Sequence, residues 1–216
     1  MLVEKLMQTD VISLKPDATV RDAIQTLAEN RIRHLPIIND EQQLLGLITD
    51  RDLKNLRAAV ATNPEKVELY DTPIHLVMKT SLMTGHPMDF VEEVALIFYQ
   101  NQIGCLPIIS QDKLVGIVTE TDLLYNYIEL TGAHEPSSQI EIKVPNRIGI
   151  LYEVFRVFYE FDANIVSVLV YPYDDLDEYK ILAIRVNLMN PVELMEKLKE
   201  AGFDVISPIG PGMMEL

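Results

Sequence analysis

The sequence predicts an α+β protein: two tandem βαββα repeats, then a βαββαβ unit. Three observations carry this. Leu35-Pro36-Ile37-Ile38 recurs as Leu106-Pro107-Ile108-Ile109, and the same offset carries Leu6-Met7 onto Val77-Met78. Self-similarity at a fixed period marks duplicated structural units. Gly-Leu-Ile-Thr-Asp-Arg-Asp at Gly46 to Asp52 recurs, at an offset one shorter, as Gly-Ile-Val-Thr-Glu-Thr-Asp at Gly116 to Asp122. After the small, polar stretch Thr131 to Ser138 the repeat ends and a different pattern begins.

Within the first repeat, Val11-Ile12-Ser13 is expected as a short strand and Lys15-Pro16-Asp17 as the turn leaving it. Thr19 with Asp22 resembles a capping box, and Val20, Ala23, Ile24, Leu27 and Ala28 then share one helical face. His34 to Ile38 reads as a strand, Asn39-Asp40-Glu41 as a hairpin turn, Leu44 to Ile48 as the returning strand and Asp50 to Ala61 as the second helix. Gly46 and Gly116 are expected to end turns. In the second repeat Val91, Val94, Ala95, Phe98 and Tyr99 form the matching helical face. One such unit has too small a core to stand alone, so the two should pack face to face.

Beyond the boundary, Ile140, Ile142 and Val144 alternate as a strand and Pro145 to Gly149 is a loop. Ile150 to Phe161 is a helix with Leu151, Val154, Phe155, Phe158 and Phe161 on its apolar side. Asn164 to Tyr171 and Glu178 to Val186 are strands joined by the acidic hairpin Asp174-Asp175-Leu176-Asp177. Asn190 should cap the last helix with Pro191 at its first position and Gly202 ending it, before a closing strand from Asp204 to Ser207. That order is the ferredoxin-like split βαβ arrangement. The expected division is residues 1–70, 71–134, a linker at 135–139, and 140–216.

Composition narrows the function classes. The formal net charge of −15 argues against nucleic acid or an anionic membrane as partner. Residues 21–60 nevertheless balance six acids with six bases, whereas residues 61–134 hold ten acids and three bases, so positive charge is concentrated in the first repeat. The apolar runs are too short for a membrane span, and the opening Met-Leu-Val-Glu-Lys lacks a basic-then-apolar leader, so a cytoplasmic protein is expected. The single Cys105 fits a reducing compartment and reads as a small buried apolar residue. His75, His86 and His134 have no ligand spacing, and the acidic hairpin lacks the glycine and terminal glutamate of a calcium loop, so no metal is expected. Motifs of hydrolases, zinc proteases, P-loop and dinucleotide enzymes are missing from the sequence, and a non-catalytic protein is expected. His34 is the single candidate for water activation were it an enzyme.

The recurring Thr-x-x-Asp carries the chemistry. Thr49 and Thr119 stand where a hydroxyl caps a helix. Such an end offers unpaired backbone N–H groups and a positive dipole to an anion such as phosphate. Asp52 and Asp122, one turn in, can accept from two neighbouring hydroxyls, as on a ribose.

Two units with Leu-Pro-Ile-Ile and Gly-[Leu/Ile]-[Ile/Val]-Thr-x-x-Asp resemble a pair of CBS domains, the Bateman module. Pro145-Asn146-Arg147-Ile148-Gly149-Ile150-Leu151 resembles the Pro-Asp-Arg-Pro-Gly-Leu-Leu loop of ACT domains, departing from it at Asn146 and Ile148. The order CBS–CBS–ACT resembles bacterial regulators of acetoin utilisation. The resemblance implies an adenine nucleotide (AMP, ADP or ATP) bound between the paired units as a regulatory ligand, with no cofactor required. It places Asp52 and Asp122 on ribose and Thr49 and Thr119 on phosphate. Backbone at Val11, Ile12 and Ser13, at Leu82, Met83 and Thr84, and in the strand before Leu35-Pro36 and Leu106 would flank adenine. Asn146, Arg147, Ile148, Gly149 and Ile150 would form an effector loop. Both modules imply a homodimer that signals allosterically to a protein partner.

The two expected sites differ. Arg31, Arg33 and His34 correspond to Gln102, Gly104 and Cys105, and Arg51 corresponds to Thr121. A hydrogen bond to a charged group is about twice as strong as a neutral one. A phosphate-rich ligand should therefore prefer the site of Thr49, Arg51 and Asp52, with Arg33 and His34 beside it, over that of Thr119, Thr121 and Asp122. Because the units pack together, a base of one can also reach the other's ligand. The alternatives are a CBS pair that serves only as an interaction module, and a different adenosine ligand such as S-adenosylmethionine.

Overall fold

A computed structural model describes residues 1–175 and 178–207; Leu176 and Asp177 of the acidic hairpin and residues 208–216 lie outside the described residues. By its internal contacts the chain forms two compact units, Met1–Leu124 and Tyr125–Leu216. The architecture is α+β throughout.

The first unit contains the first repeat and the second repeat as far as the start of its last helix. The first repeat runs α1 (Val20–Asn30), β1 (His34–Ile38), β2 (Leu44–Thr49) and α2 (Asp50–Thr62); the second runs α3 (Val91–Asn101), β3 (Cys105–Ser110), β4 (Lys113–Thr119) and α4 (Glu120–Thr131). The α1 start is the expected capping box: Thr19 N–H donates to Asp22 Oδ2 at 2.8 Å and Asp22 N–H to Thr19 Oγ1 at 3.2 Å. In each repeat the two strands form an antiparallel hairpin, with Ile37 opposite Gly46 and Ile108 opposite Gly116.

Three local expectations are corrected. Val11 to Ser13 forms no strand; Leu14, just after it, makes a parallel bridge to Ile37, matched by Gly85 to Ile108. Gly46 and Gly116 sit inside β2 and β4 instead of ending turns. A Cβ at Gly46 would overlap the Met78 sulfur, and one at Gly116 would stand 2.6 Å from the Met7 sulfur. The glycines make room for a methionine. Thirdly, Pro191 is the N-cap residue of the last helix, and Asn190 Oδ1 accepts from Val192 N–H at 3.2 Å.

Those methionines reveal the chain path. The leader of each repeat, meaning the stretch ahead of its first helix (residues 1–19 and 72–90), sends its opening residues onto the other repeat. Val3 is buried in the core built by Val91, Val94, Phe98, Leu106, Ile108 and Val118. Ile74 is buried with Val20, Ala23, Leu27, Leu35, Ile37 and Ile48. Backbone bonds fix the exchange: Gln8 and Ile117 pair through both N–H groups (2.9 and 3.0 Å), and Lys79 and Leu47 do likewise (2.9 Å each). Leu47, Cys105 and Ile117 form a separate small core where the repeats meet.

The second unit contains β5 (Ser138–Pro145), α5 (Ile150–Glu160), β6 (Ile165–Pro172), β7 (Tyr179–Val186), α6 (Val192–Glu200) and β8 (Asp204–Ser207). The strands form one antiparallel sheet in the order β6-β7-β5-β8, the ferredoxin-like arrangement. Ile140, Ile142 and Val144 of β5 and Leu182, Ile184 and Val186 of β7 bury one sheet face against Val154, Val157 and Phe158 of α5 and Leu194 and Leu198 of α6.

Candidate functional site

Each Thr-x-x-Asp closes on itself as a capping box. Thr49 donates to Asp52 Oδ2 through its N–H (3.0 Å) and its hydroxyl (2.6 Å), and Asp52 N–H donates back to Thr49 Oγ1 (3.2 Å). Thr119 and Asp122 repeat the pattern at 2.8, 2.7 and 3.3 Å. This fixes both helix starts and leaves Oδ1 of each aspartate pointing away from its threonine. Asp52 Oδ1 lies 3.0 Å from Lys79 Nζ. Asp122 Oδ1 accepts from Gln8 Nε2 at 3.2 Å. Gln8 and Lys79 occupy matching positions in the two repeats, each directly after the methionine that covers a glycine. Burial works to raise the Asp52 carboxyl, but the Thr49 hydroxyl, the Lys79 ammonium and the Thr49 N–H together hold it below the ordinary value.

A cavity of about 560 Å³ opens beside the first of these ends, within the roughly 300–1,000 Å³ span of small-molecule sites. The start of α2 supplies Thr49, Asp50, Arg51 and Lys54. The leader of the second repeat supplies Lys79, Ser81, Leu82 and Met83, and the approach to β3 supplies Gln102, Ile103, Gly104 and Cys105. Arg33, His34 and Glu120 complete the polar wall. The cavity thus combines Arg33, His34, Thr49 and Arg51 of one expected group with Leu82, Met83, Gly104 and Cys105 of the other. Val11, Ile12, Ser13, Leu35, Pro36, Thr84, Leu106, Thr119, Thr121, Asp52 and Asp122 are not among its described lining residues. The leader exchange explains the mixture, because the helix end of one repeat faces the leader of the other.

Four cations, Arg33, Arg51, Lys54 and Lys79, line the cavity against the carboxylates Asp50 and Glu120, in a chain whose net charge is −15. Lys54 pairs with Asp50 at 2.7 Å. Arg33 also reaches the second helix end, donating from Nη2 to Thr121 Oγ1 at 3.4 Å, so it stands between the two. His34 is not a fifth cation. Burial first, then the Arg33 charge, lowers its pKa, against the pull of Glu120. Its ring lies under Gly104, where a Cβ would come within 3.0 Å of Nε2. Burial pushes the Cys105 thiol up to about 12, so it is an apolar wall and not a nucleophile. Among the described residues no group of three or more His, Cys, Asp or Glu side chains could hold a metal.

Lys79 escaped the sequence reading because it lies outside both motif blocks. The signal was its alignment with Gln8 across the repeat. Lys54, Ser81 and Gln102 carried no comparable sign.

In the second unit, Asn146 N–H donates to the Glu178 carbonyl at 2.8 Å. Arg147 makes a two-pronged pair with Glu153 at 2.7 and 2.6 Å. Ile148 is fully exposed, Gly149 takes the left-handed N-cap conformation (φ 86°) and Ile150 is buried. The guanidinium of the expected effector loop is therefore engaged by its own helix.

The sequence matches the CBS domain family over residues 3–59 and 74–129 and the ACT domain family over residues 138–203. The chain belongs to the CBS-domain family and carries a C-terminal ACT domain. Among curated relatives, the CBS domain-containing protein YhcV of Bacillus subtilis is 32% identical over 124 residues, covering 57% of this chain and 84% of YhcV. MJ1225 of Methanocaldococcus jannaschii is 32% identical over 131 residues, 61% of this chain but 43% of its own length. A Vibrio cholerae protein assigned to acetoin utilization, AcuB, is 30% identical with a TM-score of 0.55, over 64% of this chain and 98% of its own. CBSX2, solved with AMP, is 25% identical with a TM-score of 0.52, over 59% of this chain and 96% of its own. The CBS pair of MJ0100, solved with 5′-methylthioadenosine and S-adenosyl-L-methionine, is 26% identical with a TM-score of 0.51, over 59% of this chain and 99% of its own. No helix among the described residues is long and apolar enough to cross a membrane.

Proposed function

We propose that this CBS–ACT protein is a non-catalytic regulator that binds an adenine nucleotide between its two repeats. The carrying observation is the cavity itself: a capped helix start at Thr49 and four cations gathered in a strongly acidic chain. Oriented N–H groups and cations together recognise phosphate. CBSX2, solved with AMP, supports the nucleotide, and the AcuB likeness supports a role in acetoin or acetate metabolism. MJ0100 favours a second reading, in which the ligand is S-adenosylmethionine or its thioether product.

Thermal shift with AMP, ADP, ATP and S-adenosylmethionine, followed by titration calorimetry, tests the proposal. A ligand at about 100 times its Kd adds roughly 2.7 kcal/mol of stability, which reads as an upward shift in Tm. Arg51→Ala should weaken AMP about 10-fold, the loss of one charge-assisted contact. Unchanged Tm with all four ligands would leave an interaction module as the better reading.

The signalling step is a population shift. Ligand alters how the two CBS pairs of a homodimer meet, and the ACT domains pass that change to a protein partner. It requires unequal affinity for two states. Light scattering should report a dimer, and small-angle scattering profiles should differ with and without saturating nucleotide. Superimposable profiles would rule out the large-scale change.

A further inference from the structure

We propose that nucleotide binding is coupled to proton uptake at His34, so that the imidazole becomes a charged contact to the ligand and affinity rises as pH falls. The inference rests on the nucleotide reading for an anion in the cavity and on no particular pose of it. His34 stands directly opposite Thr49 in the β1–β2 ladder. Side chains of such a pair share one face, with Cβ atoms about 4.5–5.5 Å apart. The ring therefore lies beside the capped start of α2 and lines the same cavity as Thr49 and Arg51. It is half-buried, and among the described residues it has no hydrogen-bond or ion-pair partner. A Cβ at Gly104 would stand 3.0 Å from His34 Nε2 and 3.9 Å from Glu120 Oε2. The ring nitrogen and the carboxylate thus approach the same bare backbone.

The charges around the ring decide its state. Arg33 precedes it on the approach to β1; Asp50, Arg51 and Lys54 come from α2, Lys79 from the leader of the second repeat and Glu120 from α4. Cys105 of β3 completes the wall, its thiol uncharged. Asp50 is held by Lys54 at 2.7 Å, and Asp52, the other carboxylate at this helix start, by Lys79 at 3.0 Å. By itself the protein keeps the ring neutral, because burial and the Arg33 charge outweigh Glu120. A phosphate among these cations offsets the Arg33 charge and adds to the pull of Glu120. An opposite charge within about 4–6 Å favours the protonated imidazole. The ring then takes up a proton, and the ligand gains a fifth cation. The coupling acts between the value of the ring in the free protein, below 6.5, and its higher value in the complex. Below that window the ring is charged in both states, and above it neutral in both, so His34 makes affinity depend on pH only inside it. The second repeat lacks the device: Cys105 stands opposite Thr119 at the matched position, and its thiol has no proton to gain.

The test is an NMR titration of the histidine rings of the full wild-type chain, with and without saturating AMP. The His34 signal is assigned by its loss in His34→Gln, or by elimination against His75, His86 and His134. AMP should raise the His34 midpoint by about one pH unit, which equals about a 10-fold gain in AMP affinity as pH falls across the window. Calorimetry above and below pH 6.5 should show that gain as the difference between wild type and His34→Gln. The second ionisation of the phosphate itself, at about pH 6, affects both proteins alike and cancels in that difference. A His34 midpoint that saturating AMP leaves unmoved or lowers, or a wild-type pH dependence that His34→Gln reproduces, overturns the proton coupling while leaving the nucleotide reading intact. A wild type that binds no AMP at any of these pH values overturns the nucleotide reading and this inference with it.

Discussion

Gly46 shows how much a single missing side chain can determine. Its place inside β2 is filled from above by Met78, which comes from the leader of the other repeat. Alanine there must displace the thioether and approaches the Lys79 carbonyl to 3.0 Å. Overpacking of this kind typically costs about 1–3 kcal/mol. Gly46→Ala and Gly116→Ala should each lower the urea midpoint by a corresponding amount without changing the slope. The periodic glycine was legible in the sequence, but its cause was not, because Met78 lies far along the chain, beyond the whole of α2. His34 shows the reverse limit. Its basic type suggested an anion contact, whereas burial and Arg33 keep its ring neutral. Because the folded value lies below the ordinary 6.5, its stabilising contribution is present above that pH and is lost as pH falls through it toward the folded value. NMR titration should place the His34 midpoint below 6.5, and His34→Gln should lessen the loss of stability as pH falls below 6.5. A midpoint above 6.5 would mean that Glu120 outweighs burial.

At the scale of elements, the helices and hairpins followed from local pattern. Thr19 and Asp22 marked the α1 start, and the apolar positions Val20, Ala23 and Leu27 proved to be its buried face. Leu35-Pro36-Ile37-Ile38 and its copy became the strands β1 and β3. Local pattern did not show the leaders. Val3 and Ile74 lie in short turns with no period to read, yet both are fully buried, each in the core of the repeat that does not follow it directly. Ile74→Ala should therefore destabilise by about 2–5 kcal/mol, read by denaturant unfolding. Val3→Ala should act in the same direction, although it stands third from the start of the described chain. If both substitutions are neutral, the leaders are dispensable attachments.

For the molecule as a whole, the exchange means that the sequence repeat and the folding unit are different objects. A fragment cut at residue 70 keeps the first repeat but removes Ile74 and the Met78 that covers Gly46. It should show no cooperative thermal transition by circular dichroism, whereas residues 1–134 expressed together should. A cooperative transition in fragment 1–70 would show that the leader contributes little. The same exchange assembles the cavity, setting Thr49 and Arg51 against Lys79, Leu82 and Met83.

The sequence by itself determined the duplication, the two capped helix starts, the ferredoxin-like order of the third unit and the unequal charge of the copies. These depend on residue type and spacing, which act over a few positions and can be read off the chain. The tertiary structure alone decided which helix end faces which leader. It decided that Lys79 meets Asp52, that Arg33 leans toward Thr121 and that His34 is neutral. Those outcomes depend on burial and on contacts between residues distant in sequence, which the crossing of the leaders sets and no local pattern encodes.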